Sequence, residues 1–90
     1  MFKNLEELLK IIRGRKKNPI ENSYTNKLLN DKKLSLSKVK EEIEELIEAV
    51  EKDTNKVHEA ADVVYHLLVY LEAHNIKIED VIKELEKRKK

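Results

Sequence analysis

The chain has no cysteine and no tryptophan, and in 90 residues it has one glycine, one proline and one phenylalanine. Without cysteine there are no disulfides, thiolate metal sites or thiol nucleophiles. Gly14 and Pro19 fall in the same region, so the rest of the sequence has little to break a helix. Charge of one sign is also missing: the net charge is +1, which argues against a general polyanion binder and leaves only local basic patches. No apolar run approaches the ~20 residues of a membrane span. Met1 to Lys10 carries charges throughout and lacks the apolar stretch of a signal peptide. These absences predict one soluble, cytoplasmic domain over residues 1–90, with neither a membrane nor a nucleic-acid polymer as partner.

What is present is charge, 41% of residues, arranged with helical periodicity. A first helix is predicted from about Leu5 to Arg13, with Asn4 as cap and Leu5, Leu8, Leu9 and Ile12 as its apolar stripe. Gly14 to Lys33 reads as a long polar connection with a short helical turn near Thr25 to Asn30. A second helix starts after Ser35 or Ser37 and runs to Lys52, its core stripe being Val39, Ile43, Leu46, Ile47 and Val50. A third, capped by Asp53 or Thr54, runs to about His74, with Asn75 as a left-handed stop. A fourth covers Ile78 to Arg88. The expected fold is all-α, a small four-helix bundle.

Two carboxylate pairs stand out, Glu42/Glu45 and Glu59/Asp62, each spaced i,i+3 and therefore adjacent on a helix face. At ~100° per residue from Val39, Glu42 and Glu45 border the apolar stripe, whereas Glu44, Glu48 and Glu51 point away. Glu41 lies just outside, as a supporting group. On the third helix Glu59, Asp62 and His66 form an acidic stripe between apolar flanks, with Val57, Ala60, Ala61, Val64, Leu67, Leu68 and Leu71 on one broad arc. Carboxylates are costly beside apolar surface unless something pairs with them. Two such pairs on successive helices suit a hard divalent cation such as Mg²⁺, which prefers oxygen ligands. A helix that is apolar on several sides also predicts self-association, as a homodimer or a higher homo-oligomer. His58, His66 and His74 point in different directions and make no three-histidine site; His66 is the natural partner of Asp62 one turn earlier.

Arg13, Arg15, Lys16, Lys17 and Lys27 make the first connection basic, and Ser23, Tyr24 and Thr25 add three hydroxyls. The segment lacks the cation–aromatic interleaving of a nucleic-acid binder. Cations and hydroxyls set against a carboxylate cage suit a metal-bound polyphosphate. A small helical interaction module, with its acids merely solvated, is the non-enzymatic alternative.

Beyond these patterns the chain resembles phosphoribosyl-ATP pyrophosphatases. The resemblance lies in Asn18-Pro19, Ser23-Tyr24-Thr25 and Leu28-Leu29, then Lys38-Val39 with Glu41, Glu42 and Glu45. It continues through Glu59-Ala60-Ala61-Asp62-Val63-Val64-Tyr65-His66-Leu67-Leu68-Val69. The carboxylates alone are similar to all-α nucleotide pyrophosphatases of the MazG type, which act on non-standard nucleotides; the Ser-Tyr-Thr segment and the Tyr65-His66-Leu67-Leu68-Val69 ending favour the narrower family. Lys40 and Lys77 depart from the family pattern, at positions away from the acids. The resemblance implies a stand-alone Mg²⁺-dependent hydrolase of histidine biosynthesis, converting phosphoribosyl-ATP to phosphoribosyl-AMP and pyrophosphate. It implies metal ligation by Glu42, Glu45, Glu59 and Asp62. Glu41 or Glu45 would then take a proton from water. Arg13, Arg15, Lys16, Lys27 and Lys38 would meet phosphates, and Ser23, Tyr24, Thr25 and His66 the rest of the substrate.

Overall fold

A computed structural model describes residues 2–89, which form five helices and no strand. They are α1 (Lys3–Lys17), α2 (Tyr24–Asn30), α3 (Lys32–Lys52), α4 (Lys56–Ala73) and α5 (Ile78–Lys87). Among these residues no helix is long and apolar enough to cross a membrane.

The expected four helices become five because the turn near Thr25 is a helix in its own right. Ser23 caps it, its Oγ accepting from Asn26 N–H at 3.3 Å. α1 runs through Gly14 rather than stopping before it. Gly costs about 1 kcal/mol in a helix interior, and Arg15, Lys16 and Lys17 in the last turn favourably face the carbonyl end of the dipole. What ends α1 is Pro19, which disfavours helical geometry at Asn18 (φ −126°, ψ 82°). Nor does Asn4 cap it: Phe2 holds that position without a side-chain bond. α3 starts ahead of the two serines because Asp31 Oδ1 accepts from Leu34 N–H at 3.0 Å, so Ser35 lies buried inside the helix. The N-cap of α4 is Asn55, not Asp53 or Thr54.

Two left-handed residues close helices by the same device. Asp53 (φ 56°) ends α3 with Thr54 N–H reaching Ala49 O at 2.9 Å; Asn75 (φ 59°) follows α4 with Ile76 N–H reaching Leu71 O at 2.9 Å. The Asn75 stop is the one expected from sequence.

Ile12, Leu28, Leu68 and Val69 form the buried core, flanked by Leu8, Leu29, Leu34, Tyr65 and Ile78, so all five helices contribute. Each fully buried aliphatic side chain contributes roughly 1.5–3 kcal/mol. α3 and α4 make the most extensive pairing, as an antiparallel hairpin. The expected core stripe is only partly confirmed. On α3 Val39 is buried and Leu46 half-buried, but Ile43, Ile47 and Val50, and Val57, Val64 and Leu67 on α4, are exposed, Val57 at 86%. α1 and α2 cover the His66–Val69–Ala73 side of α4 instead, leaving the other apolar arc open within one chain.

Candidate functional site

The α3–α4 hairpin brings the two carboxylate pairs together. One oxygen from each of Glu42, Glu45 and Glu59 lies within 4.8 Å of the others, and one ligand atom from each of His58, Glu59 and Asp62 does the same. Glu59 belongs to both groups, so the four acids form one continuous cluster. Glu42 is only 8% exposed, as its place beside the apolar stripe requires, while Glu44, Glu48 and Glu51 face solvent.

The cluster sets like charges together, with His58 beside Asp62 at 3.4 Å and Lys38 near Glu42. Among the described residues, three buried side-chain polar atoms lack a hydrogen-bond partner: Glu42 Oε2, Glu59 Oε2 and Arg15 Nε. Burial pushes the Glu42 carboxyl up, and Glu45 pushes it further. Glu59 is raised by the same two causes, burial first. Orphaned, desolvated oxygens converging from two helices fit a hard cation in both donor chemistry and charge.

Beside the acids stands a hydroxyl–imidazole group joining α2 to α4. Tyr24 Oη lies 2.9 Å from His66 Nε2, and Thr25 Oγ1 lies 2.5 Å from Tyr65 Oη. His66 does not pair with the Asp62 carboxylate as its spacing suggests. Its Nδ1–H donates to the Asp62 backbone carbonyl at 2.8 Å, and His58 makes the carboxylate contact, at 3.4 Å. Spacing on a helix does not distinguish an i−4 carbonyl from an i−4 side chain, and the buried imidazole turns to the carbonyl. Tyr24, half exposed, lies near Lys38, Glu41 and Glu42; burial raises its phenol and Lys38 opposes this. Lys38 pairs with Glu41 at 3.1 Å, which holds the ammonium above its usual range, and it also feels Glu42.

Arg13 and Lys16 lie elsewhere. Arg13 bonds Glu79 (2.6 and 2.9 Å) and Glu72 (3.2 Å), and Lys16 bonds Glu72 O at 2.7 Å and Asn75 Oδ1 at 2.6 Å. Glu72 is thirteen positions beyond Glu59, or ~20 Å along α4, so within one chain Arg13 and Lys16 tie α1 to the α4–α5 turn. Lys27 and Ser23 line an open cleft of about 680 Å³ along the Pro19–Tyr24 segment. The Arg15 carbonyl is held by Asn26 Nδ2 at 2.8 Å, and Asn26 Oδ1 accepts from Ile20 N–H at 2.8 Å. Asn26, Tyr65 and Glu72 are the residues that sequence reasoning missed. Asn26 had one available signal, its position three after a capping serine.

Fold and site together define a class: a small all-helical protein whose antiparallel hairpin gathers four carboxylates suited to a hard divalent cation. Within that class, the family model described as "Phosphoribosyl-ATP pyrophosphohydrolase" matches residues 5–89. The chain is 51% identical to "Phosphoribosyl-ATP pyrophosphatase" of Clostridium acetobutylicum, over 93% of this chain and 79% of that one. It is 46% identical to the protein of the same name from Clostridium novyi, over 96% and 81%. It is 44% identical to "Histidine biosynthesis bifunctional protein HisIE" of Caldanaerobacter subterraneus, over 96% of this chain and 43% of that longer protein. The chain belongs to the phosphoribosyl-ATP pyrophosphohydrolase family.

Proposed function

We propose that the chain hydrolyses phosphoribosyl-ATP to phosphoribosyl-AMP and pyrophosphate, the second step of histidine biosynthesis, with Mg²⁺ held by Glu42, Glu45, Glu59 and Asp62. The observation that carries the metal assignment is the buried Glu42 oxygen without a partner, inside a cluster of like charge. Family membership supports the substrate. When bound, Mg²⁺ supplies charge neutralisation at the triphosphate and its leaving pyrophosphate. Lys38, paired with Glu41 and near Glu42, binds a phosphate oxygen, and Tyr24 borders the same space. Water attacks the α-phosphorus in line with the departing pyrophosphate, forming one P–O bond as the anhydride P–O bond breaks. Glu41 or Glu45 takes the proton of that water.

The exposed apolar arc on α3 and α4 supports a homodimer or larger homo-oligomer, with the acidic hairpin close to the shared surface. The test of function is pyrophosphate release with Mg²⁺ from phosphoribosyl-ATP, ATP and a panel of non-standard nucleotides. Preference for phosphoribosyl-ATP is expected; hydrolysis of ordinary triphosphates but not of phosphoribosyl-ATP overturns the assignment.

A further inference from the structure

α2 is seven residues long, far below the length at which a helix holds itself in water. Its position therefore depends on what it touches. Leu28 enters the core, and Asn26 ties the preceding loop to α1. Its side-chain bonds to α4 go to two adjacent residues, Tyr65 and His66. These stand three and four positions after Asp62, on the next turn of the same face. The rise of α4 thus sets the spacing between the carboxylate cluster and the helix that carries Tyr24.

His66 holds α2 through the Tyr24 hydroxyl and an edge contact with the Tyr24 ring at 5.8 Å, and Tyr65 holds it at two residues, Thr25 and Tyr24. The Tyr65 hydroxyl meets Thr25 Oγ1 at 2.5 Å, its ring stacks on Tyr24 with centroids 6.4 Å apart, and its edge meets His66 at 5.0 Å. Thr25 Oγ1 is bonded to Tyr65 and Ser23 Oγ accepts from the Asn26 amide, while Tyr24, bonded to His66, lies near Lys38 and Glu42.

We propose that Tyr65 is a positioning residue for substrate binding: through Thr25 and its stack on Tyr24, it fixes where α2 presents Tyr24 to the carboxylate cluster. The inference rests on the function proposed above. Tyr65 touches no reacting atom, so its loss weakens substrate binding more than it slows chemistry.

The test uses the full chain with Mg²⁺ and phosphoribosyl-ATP. Tyr65→Phe keeps the ring and removes the hydroxyl. It should raise KM about three- to tenfold, the range of one net hydrogen bond, with kcat within about twofold. Thr25→Val should do the same, the double variant should be no worse than either single one, and Thr25→Ser should restore native KM. In the free protein, Tyr65→Phe should speed amide exchange in Lys27 to Asn30 and leave α3 unchanged. Native KM in Tyr65→Phe, with or without a lower Tm, overturns the positioning role, as does a fall in kcat at unchanged KM. Failure of the unmodified chain to hydrolyse phosphoribosyl-ATP is a separate result, which overturns the function and this role with it.

Discussion

At Glu42, stability and function pull in opposite directions. The side chain is buried, one oxygen has no partner, and Glu45 stands against it. Glu42→Gln should abolish turnover while making the metal-free protein more stable by on the order of 1 kcal/mol, or about 4–8 °C in Tm for a domain this size. Adding Mg²⁺ should raise the Tm of the native protein and leave the variant nearly unmoved. Near-native turnover in the variant would remove Glu42 as a ligand. Because the Glu42 and Glu59 carboxyls are both raised, the metal-free fold holds their protons more tightly than the unfolded chain does. The stability they add at low pH is lost as pH rises through their folded values. Glu42 and Glu45 were separable from Glu44, Glu48 and Glu51 in sequence because angle around a helix is a local property. Tyr65 stood in the family resemblance, but its role was not legible, since what defines it is Thr25, 40 positions away along the chain.

At the scale of elements, the two short helices depend on side-chain ties. Asn26 holds the loop before α2 through the Ile20 amide and the Arg15 carbonyl. Asn26→Ala strands both groups and should cost about 1–3 kcal/mol, read as a lower denaturant midpoint at unchanged slope. α5 buries no residue fully and is tied to α1 by Arg13 and Glu79. That bond holds the Glu79 carboxyl down at about 2, against an ordinary 4.5. A depressed carboxyl contributes stability above its unfolded value and loses it as pH falls through its folded one. The contribution should therefore drain away between about pH 4.5 and 2, and Glu79→Gln should flatten that part of the curve in acid denaturation. Sequence showed the long helices and the Asn75 stop, because periodicity and left-handed propensity are written locally. It missed the starts of α3 and α4, where several neighbouring residues compete as caps and backbone geometry decides among them.

At the scale of the molecule, an apolar arc on the α3–α4 hairpin is left open. Ile43, Ile47 and Val50 on α3 continue into Val57, Val64 and Leu67 on α4. Helical periodicity placed the α3 residues in the core stripe, while the breadth of the apolar surface on the helix that follows already pointed to cover from a second chain. Ile47→Lys should convert a self-associated protein to monomer in sedimentation equilibrium, with helicity retained. A native chain that is monomeric at micromolar concentration would leave the arc to another partner.

The turn from Asp53 to Asn55 also has a kinetic consequence. All four clustered acids come from one hairpin, so their encounter needs only a short loop to close, the kind of local contact that forms early in folding. Without a cation, that early step brings like charges together and is slowed by them. Mg²⁺ should therefore act on the folding limb of the chevron as well as on unfolding, hastening the hairpin before the core around Ile12 and Leu28 has assembled.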